Sequence, residues 1–169
     1  MQNDYAPGDV IKQASYGLSD VEKVVAKFLL PLWREGAVYA FSGEIGAGKT
    51  TLLKVLLRRA GVVEEIASPT YAYFCRYDLP DDVSVYHFDL YRVESLEMFF
   101  DMEFESVFHN PRNIVVIEWP KVIYQLLAEN PLSKRVVWVD LEYDLESPRE
   151  RVFLLQASAK NNVDEGETP

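Results

Sequence analysis

Short apolar segments alternate with amphipathic segments along this chain. Residues 37–42 form a nearly continuous apolar run, which is typical of a strand that is covered on both faces of a sheet. Residues 49–60 carry leucines at helical spacing and predict a helix. Apolar or aromatic side chains alternate over residues 71–77, and the strand pattern resumes over 83–88 after a turn at Pro80. This pair of segments predicts an antiparallel hairpin.

The alternation continues on both sides of these segments. Residues 19–22 fit a capping box, in which a serine and a glutamate satisfy the first amides of a helix, and apolar residues at helical spacing extend that helix to Leu29. Strands that alternate with helices predict an α/β domain of three layers, whose sheet is mixed but mainly parallel and includes the hairpin. The remaining predicted elements are helices over 94–108 and 122–127 and strands over 114–117, 136–141 and 152–156.

The length of the chain suits a single domain. It has 169 residues, and no internal repeat or linker divides it. We assign residues 1–157 to the domain, and we expect the polar, acidic residues 158–169 to be a flexible tail.

The net charge narrows the classes of partner. Lysine and arginine total 17 against 27 for aspartate and glutamate, so the net charge is −10. Such a surface repels nucleic-acid backbones and anionic membranes and favours a basic protein partner. The single cysteine, Cys75, has only His87 and His109 as nitrogen co-ligands, which argues against a zinc site. Because there is no readable secretory signal and no apolar run of about 18 residues, we expect a cytoplasmic protein.

One segment carries the signature of a phosphate-binding loop. Residues 43–50 fit the pattern G-x-x-x-x-G-K-[ST] at every fixed position, between a predicted strand and a predicted helix. Glycines let backbone amides turn toward phosphate oxygens, while Lys49 reaches the β- and γ-phosphates and the Thr50 hydroxyl ligates Mg²⁺. Thr51 is expected to donate to the α-phosphate. The predicted fold is therefore a P-loop NTPase-like domain. The predicted nucleotide contacts are Gly43, Glu44, Ile45, Gly46, Ala47, Gly48, Lys49, Thr50 and Thr51.

Two acidic residues are candidates for completing the magnesium site. Glu118 follows the buried run 114–117 in a Walker B pattern, and Asp89 follows the run 83–88. The spacing leaves open how the two divide the work of binding the metal and orienting water. The guanine-specific sequence N-K-x-D does not occur in the chain, so ATP is the expected nucleotide.

Four motifs, in this order and at similar spacing, resemble those of the TsaE (YjeE) family. They are the loop GEIGAGKTT, the stretch SPTY at 68–71, the run YHFDLYR at 86–92 and the element IEWP at 117–120. The resemblance covers roughly residues 19–155. It implies a bacterial ATPase that is needed, with TsaB and TsaD, for the N6-threonylcarbamoyl modification of adenosine 37 in ANN-decoding tRNAs.

The resemblance implies a catalytic set of Lys49, Asp89 and Glu118. Thr50 and Glu118 would ligate Mg²⁺, and Asp89 would sense the γ-phosphate or position water. No arginine finger for the γ-phosphate is evident, although arginines are available. We therefore expect slow hydrolysis of ATP by the chain alone and faster hydrolysis when a TsaB–TsaD assembly supplies or orders the missing groups. The tRNA would be reached only through these partners.

A second group of residues resembles the family's switch-like elements. Ser68, Pro69 and Thr70 match its switch-like segment, and Arg92 is a candidate to approach phosphate or to hold the nearby aspartate. Trp119 matches the family's tryptophan beside the metal-binding acid.

The chain departs from the family pattern at several positions. Glu44 stands where aspartate is usual, and Lys121 follows the Trp-Pro pair where an acid is common. Arg149 and Arg151 match the late basic segment of the family only loosely and stay unassigned. Two other functions also stay open: a small-molecule kinase that uses the P-loop, and an adaptor that responds to nucleotide without hydrolysing it.

Overall fold

The computed structural model describes residues 10–69, 71–129, 135–147 and 150–157. The predicted acidic tail, residues 158–169, lies outside the described residues. Within these residues the strands form one seven-stranded sheet. The strands are β1 (Val10–Gly17), β2 (Val38–Gly43), β3 (Phe74–Leu79), β4 (Val83–Asp89), β5 (Ile114–Glu118), β6 (Val136–Tyr143) and β7 (Glu150–Ala157).

The sheet is parallel at its centre and antiparallel at both edges. Its strand order is β1-β7-β6-β2-β5-β4-β3, and β6, β2, β5 and β4 run parallel to one another. The β3–β4 hairpin closes one edge, and β7 and β1 add antiparallel strands at the other. The predicted mixed sheet with an antiparallel hairpin is therefore confirmed.

Helices cover both faces of the sheet, which gives the predicted three layers. On one face α1 and α2 pack against the larger core cluster, whereas on the other α3, α4 and α5 pack against a second cluster. Among the described residues, no helix has the length and apolar character that crossing a bilayer requires. The helices are α1 (Val21–Val24), α2 (Lys49–Arg59), α3 (Leu96–Asp101), α4 (Ser106–His109) and α5 (Tyr124–Glu129).

The first helical segment begins differently from the prediction. The chain enters it through a 3₁₀ turn at Leu18–Asp20, and neither this turn nor α1 has a side-chain cap, so the predicted capping box is wrong. The Ser19 hydroxyl instead contacts the carboxylate of Asp20, at 3.4 Å. After α1 the segment continues as a π-helical turn at Val25–Leu29 and a 3₁₀ turn at Leu30–Leu32. A further 3₁₀ turn, Pro120–Ile123, leads into α5.

The single helix predicted over 94–108 is wrong, because the segment forms two short helices. Ser95 caps α3 by accepting a hydrogen bond from the amide of Met98, and the chain then turns at Glu103, which has a φ of 55°. Phe99 and Phe104 are both buried in the second core cluster. Residues five apart lie roughly 140° apart around a straight helix, so the break allows both rings to face the same core.

Two strand boundaries also differ from the prediction. The first hairpin strand begins at Phe74 rather than at residue 71, because Tyr73 has a φ of 64°, outside the strand region. The polar leader contains an edge strand, β1, that the hydrophobic pattern did not indicate. Its main chain pairs with β7, and Tyr16 is buried at its end.

Gly43 ends the strand that leads into the phosphate-binding loop, and we expect Gly43→Ala to destabilise the protein. Its φ is 132°, and a Cβ atom there would collide with the carbonyl oxygen of Leu141. We expect a loss of about 3 kcal/mol in the free energy of unfolding, or about 6 °C or more in Tm. Gly17→Ala is the matched control, since Gly17 has a φ of −90° and room for a Cβ. Equal thermal unfolding of the two variants would contradict this account.

Candidate nucleotide-binding site

A cleft of about 370 Å³ opens at the carboxyl ends of β2, β4 and β5. The strand register places Glu118 beside Phe41 on one side and beside Asp89 on the other. The carboxyl ends of parallel strands are where such sheets bind ligands. The cleft is lined by Ile45, Gly46, Gly48, Lys49, Thr50, Thr51, Ser68, Asp89, Tyr91, Glu118 and Trp119.

Lys49 lies at the base of this cleft and is almost fully buried, with 4% of its surface exposed. Its ammonium donates hydrogen bonds to the carbonyl oxygens of Gly43 at 2.7 Å and Glu44 at 2.9 Å. It also lies 3.6 Å from the centroid of the Trp119 ring. Burial lowers the pKa of Lys49, while the nearby charges of Glu118 and Asp89 oppose that shift. The loop thus holds a positive charge beside two acids in a partly desolvated site.

The loop itself is shaped around that lysine. Gly48 precedes α2 with a φ of 98°, a conformation that favours glycine, and Ala47 is buried. The amide of Ala47 donates to the carbonyl oxygen of Glu44 at 3.1 Å. Gly43 and Glu44 therefore contribute carbonyl oxygens to Lys49, and Ile45, Gly46 and Gly48 line the cleft. The predicted nucleotide contacts Gly43, Glu44 and Ala47 are not among the described residues that line it.

A chain of side-chain contacts joins the start of α2 to the ends of β4 and β5. Thr50 Oγ1 donates to Glu118 Oε2 at 2.7 Å, and His87 Nε2 lies 3.0 Å from Glu118 Oε1. His87 and Glu118 are buried. The predicted metal-binding pair, Thr50 and Glu118, is thus brought into direct contact, with His87 behind the acid.

Asp89 lies beside this pair and is also buried, with 5% of its surface exposed. Its Oδ1 accepts a hydrogen bond from the amide of Tyr91 at 3.1 Å, which fixes the carboxylate at the strand end. Because Asp89 and Glu118 are cross-strand partners, two acids and one lysine share the base of the cleft.

Trp119 forms one wall of the cleft in a constrained conformation. It has a φ of 62° and a ψ of 54°, which are left-handed values that cost a residue with a side chain about 1 kcal/mol or more. Its amide donates to the carbonyl oxygen of Phe41 at 3.1 Å, and its ring lies 5.0 Å from the ring of Tyr91. The strained turn directs the indole ring toward Lys49.

The residues predicted to be switch-like do not all lie together. Ser68 lines the cleft and Pro69 is buried, whereas Thr70 lies outside the described residues. Arg92 is exposed, and its guanidinium lies 4.4 Å from the centroid of the Tyr71 ring. In this conformation Arg92 is not among the described residues that line the cleft.

Tyr143 supports the loop, although no pattern in the sequence predicts it. Its hydroxyl donates to the carbonyl oxygen of Ile45 at 2.9 Å, across a sequence separation of 98 residues. A Cβ on Gly46 would come within 2.7 Å of that hydroxyl oxygen. The guanidinium of Arg151 lies 4.2 Å from the centroid of the Tyr143 ring, while Arg149 lies outside the described residues. No local pattern marks such a long-range contact.

A second acidic site lies beside the loop. Asp140, near the end of β6, accepts a hydrogen bond from the Ser42 hydroxyl and has 4% of its surface exposed. Both residues line a second cleft of about 590 Å³ that adjoins Gly43 and Glu44. Burial, assisted by the charge of Glu142, raises the pKa of Asp140 from 3.8 to about 6.

This raised pKa predicts that the stability of the protein depends on pH. The folded state resists ionisation of Asp140, so its contribution is fully present below pH 3.8 and is lost as the pH rises through about 6. We expect Asp140→Asn to remove that loss and to raise the free energy of unfolding by about 2 kcal/mol at pH 8. Thermal unfolding at several pH values between about 4 and 8 would measure it. The exposed neighbour variant Glu142→Gln should give a smaller shift, and equal pH profiles for wild type and Asp140→Asn would contradict the prediction.

Comparisons of the sequence with known proteins point to one family. Residues 18–151 match the model of the family described as Threonylcarbamoyl adenosine biosynthesis protein TsaE. A tRNA threonylcarbamoyladenosine biosynthesis protein TsaE from Haemophilus influenzae is 32% identical over 127 residues, which are 73% of this chain and 78% of that protein. The protein of the same name from Treponema pallidum is 37% identical over 98 residues, which are 58% of this chain and 70% of that protein.

A solved structure shares the fold. The crystal structure of YdiB from Bacillus subtilis superimposes with a TM-score of 0.59 at 22% identity, covering 88% of this chain and 87% of that one. The family match extends over most of the described elements, from the turn before α1 to the second residue of β7. The chain therefore belongs to the TsaE family, whose members serve in the biosynthesis of threonylcarbamoyladenosine in tRNA.

Proposed function

We propose that this chain is a slow, Mg²⁺-dependent ATPase that acts on a TsaB–TsaD complex in the cytoplasm. In this role it supports the N6-threonylcarbamoyladenosine modification at position 37 of tRNA. The observation that carries the proposal is the assembly of Lys49, Thr50, Asp89 and Glu118 at the base of one cleft in a member of the TsaE family.

The residues present fit a magnesium ion. The Thr50 hydroxyl and the Glu118 carboxylate are hard oxygen donors in contact at 2.7 Å, and Mg²⁺ prefers such donors together with phosphate oxygens and water. When bound with nucleotide, the ion would supply positive charge to the phosphates. Thr50 and Glu118 would then hold it, and Glu118 would exchange its contact with Thr50 for a shared ligand role.

Other residues of the chain would bind and orient the nucleotide. Lys49 would turn from the carbonyl oxygens of Gly43 and Glu44 toward the β- and γ-phosphates, which would satisfy its buried charge. Asp89, held by the amide of Tyr91, would orient the attacking water. This step needs no covalent intermediate, because phosphoryl transfer to water depends mainly on position and electrostatics.

The arrangement of the arginines supports slow turnover by the chain alone. Among the described residues, no arginine lines the cleft. Arg92 contacts Tyr71, and Arg76 is paired with Asp78 at 2.8 Å. An arginine that stabilises the transition state typically contributes about 10³-fold or more in rate. A partner that supplies or orders such a group would therefore accelerate hydrolysis strongly.

The charge of the chain supports an indirect contact with tRNA. A net charge of −10 repels a nucleic-acid backbone, so we assign tRNA binding to the partners. ATP binding and hydrolysis would then reset the protein assembly rather than take part in the carbamoyl chemistry.

The proposal is tested by measuring ATP turnover with and without purified TsaB and TsaD. We expect hydrolysis by the chain alone to be slow and to rise by about tenfold or more with both partners present. The variant Glu118→Gln with the same partners corrects for contaminating ATPase. Equal rates with and without the partners would refute activation, and tight ATP binding without turnover in either case would favour a non-hydrolysing adaptor.

A further inference from the structure

His87 is a buried polar residue whose place in the site is not explained by packing. Its side chain is fully buried in the middle of β4, with Cys75 of β3 and Val116 of β5 as its cross-strand neighbours. An apolar side chain would fill such a position without a polar atom to satisfy. Within the described part of the chain, His87 Nδ1 has no hydrogen-bond partner. Burial of the imidazole therefore has a free-energy cost that packing alone does not offset.

The contact that His87 does make is directed at one oxygen of Glu118. Nε2 lies 3.0 Å from Oε1, and the other oxygen, Oε2, accepts from the Thr50 hydroxyl. Carboxylate oxygens only accept hydrogen bonds, so Nε2 is the donor in this contact. Each oxygen of the carboxylate thus has its own donor, one from β4 and one from α2.

This division fixes the orientation of the carboxylate. Without the donor on Oε1, Glu118 is free to rotate toward the Lys49 ammonium, whose charge already interacts with it. A carboxylate that turns to Lys49 is withdrawn from Thr50 and from the place where a metal would be shared. When a residue that holds a metal ligand by a hydrogen bond is mutated, metal affinity typically falls by about 10- to 100-fold.

We propose that His87 is a positioning residue that holds Glu118 Oε1, so that Oε2 stays directed at Thr50 and at the divalent cation of the bound nucleotide. The proposal rests on the proposed function, because it requires a nucleotide with its cation in the cleft. It assigns His87 to cation affinity rather than to nucleotide affinity or to stability.

The test compares His87→Gln with His87→Leu. The terminal amide nitrogen of glutamine lies about as far along the side chain as Nε2 and donates a hydrogen bond, whereas leucine fills similar space and donates none. Mn²⁺ binding in the presence of ADP is measured by electron paramagnetic resonance, and ADP binding with EDTA is measured by calorimetry. We expect about 10-fold or greater weakening of Mn²⁺ binding in His87→Leu, near-wild-type binding in His87→Gln, and unchanged metal-free ADP affinity in both.

Two outcomes would overturn the proposal. One is wild-type Mn²⁺ affinity in His87→Leu, and the other is equal weakening in the leucine and glutamine variants, which would indicate packing alone. If wild type itself fails to bind ADP, the proposed function fails, which is a different result. Should His87→Leu not fold, His87→Asn replaces it, since its amide reaches only the position of Nδ1. Equal Mn²⁺ affinity of the asparagine and glutamine variants would then refute the role.

Discussion

Lys49→Ala is expected to lower the affinity for ATP by about 100-fold or more and to abolish the contribution of the chain to tRNA modification. The lysine is the only cationic side chain among the described residues that line the cleft. Its loss removes a charge-assisted contact to the phosphates worth about 3 kcal/mol, which corresponds to about 100-fold in affinity. Calorimetric titration with ATP and Mg²⁺ would measure binding, and mass spectrometry of tRNA from cells that carry only the variant would measure modification.

Lys54→Ala is the matched control for this experiment. Lys54 lies on the same helix but is exposed and is not among the residues that line the cleft. Thermal unfolding of Lys49→Ala distinguishes a loss of ATP binding from a loss of folding. Because burial already disfavours the charge of Lys49, its removal should not lower Tm by more than a few degrees. Modification that persists at the wild-type level in Lys49→Ala would refute the nucleotide-dependent role.

The sequence predicted those parts of the molecule that depend on local rules. The glycine and lysine spacing of the loop, the buried runs of β2 and β5 and the amphipathic helix α2 each follow from residues that are close in the chain. Two of the four motifs that carry the family resemblance, GEIGAGKTT and IEWP, lie within or next to these parts. The candidate residues Asp89 and Glu118 were recognised as strand ends, although their roles stay predictions.

The parts that were not predicted depend on residues far apart in the chain. The edge strand β1 pairs through its main chain with β7, and its sequence alternates apolar and polar residues only briefly, at Ala14 and Tyr16. Tyr143 reaches the loop only because β6 lies next to β2. The break between α3 and α4 allows Phe99 and Phe104 to pack in the same core. Hydrophobic periodicity does not detect this break and predicts one helix.

The contact between Glu118 and Thr50 is also evident only from the structure. From the sequence, both acids were candidates for the magnesium site, because both end a strand beside the loop. In the order β2-β5-β4, Glu118 lies on the strand next to β2, which leads into the loop before α2, and it accepts a hydrogen bond from Thr50. On this contact we base the proposal that Glu118 is the metal ligand and Asp89 the residue that orients water.

These two proposed roles predict different defects in Asp89→Asn and Glu118→Gln, namely a loss of turnover in the first and a loss of Mg²⁺-dependent binding in the second. Asparagine keeps the oxygen that accepts from Tyr91, so Asp89→Asn should bind ATP and Mg²⁺ within a few-fold of wild type. Its turnover beside TsaB and TsaD should fall by about 10²-fold or more, since an amide cannot take a proton from water or orient it as a base. Glu118→Gln should instead lose the increase in nucleotide affinity that Mg²⁺ provides, because its neutral amide is a poor magnesium ligand.

Binding and turnover must therefore be measured on the same preparations. Nucleotide affinity is titrated with Mg²⁺ and with EDTA, and steady-state hydrolysis is followed with both partners present. Asp82→Asn makes the same chemical change in the exposed hairpin turn, where a φ of 57° suits asparagine, and should match wild type in every measurement. If Asp89→Asn loses Mg²⁺-dependent binding while Glu118→Gln keeps it, the roles are reversed. In that case the contact between Thr50 and Glu118 belongs only to the nucleotide-free protein, and Asp89 holds the metal once ATP is bound.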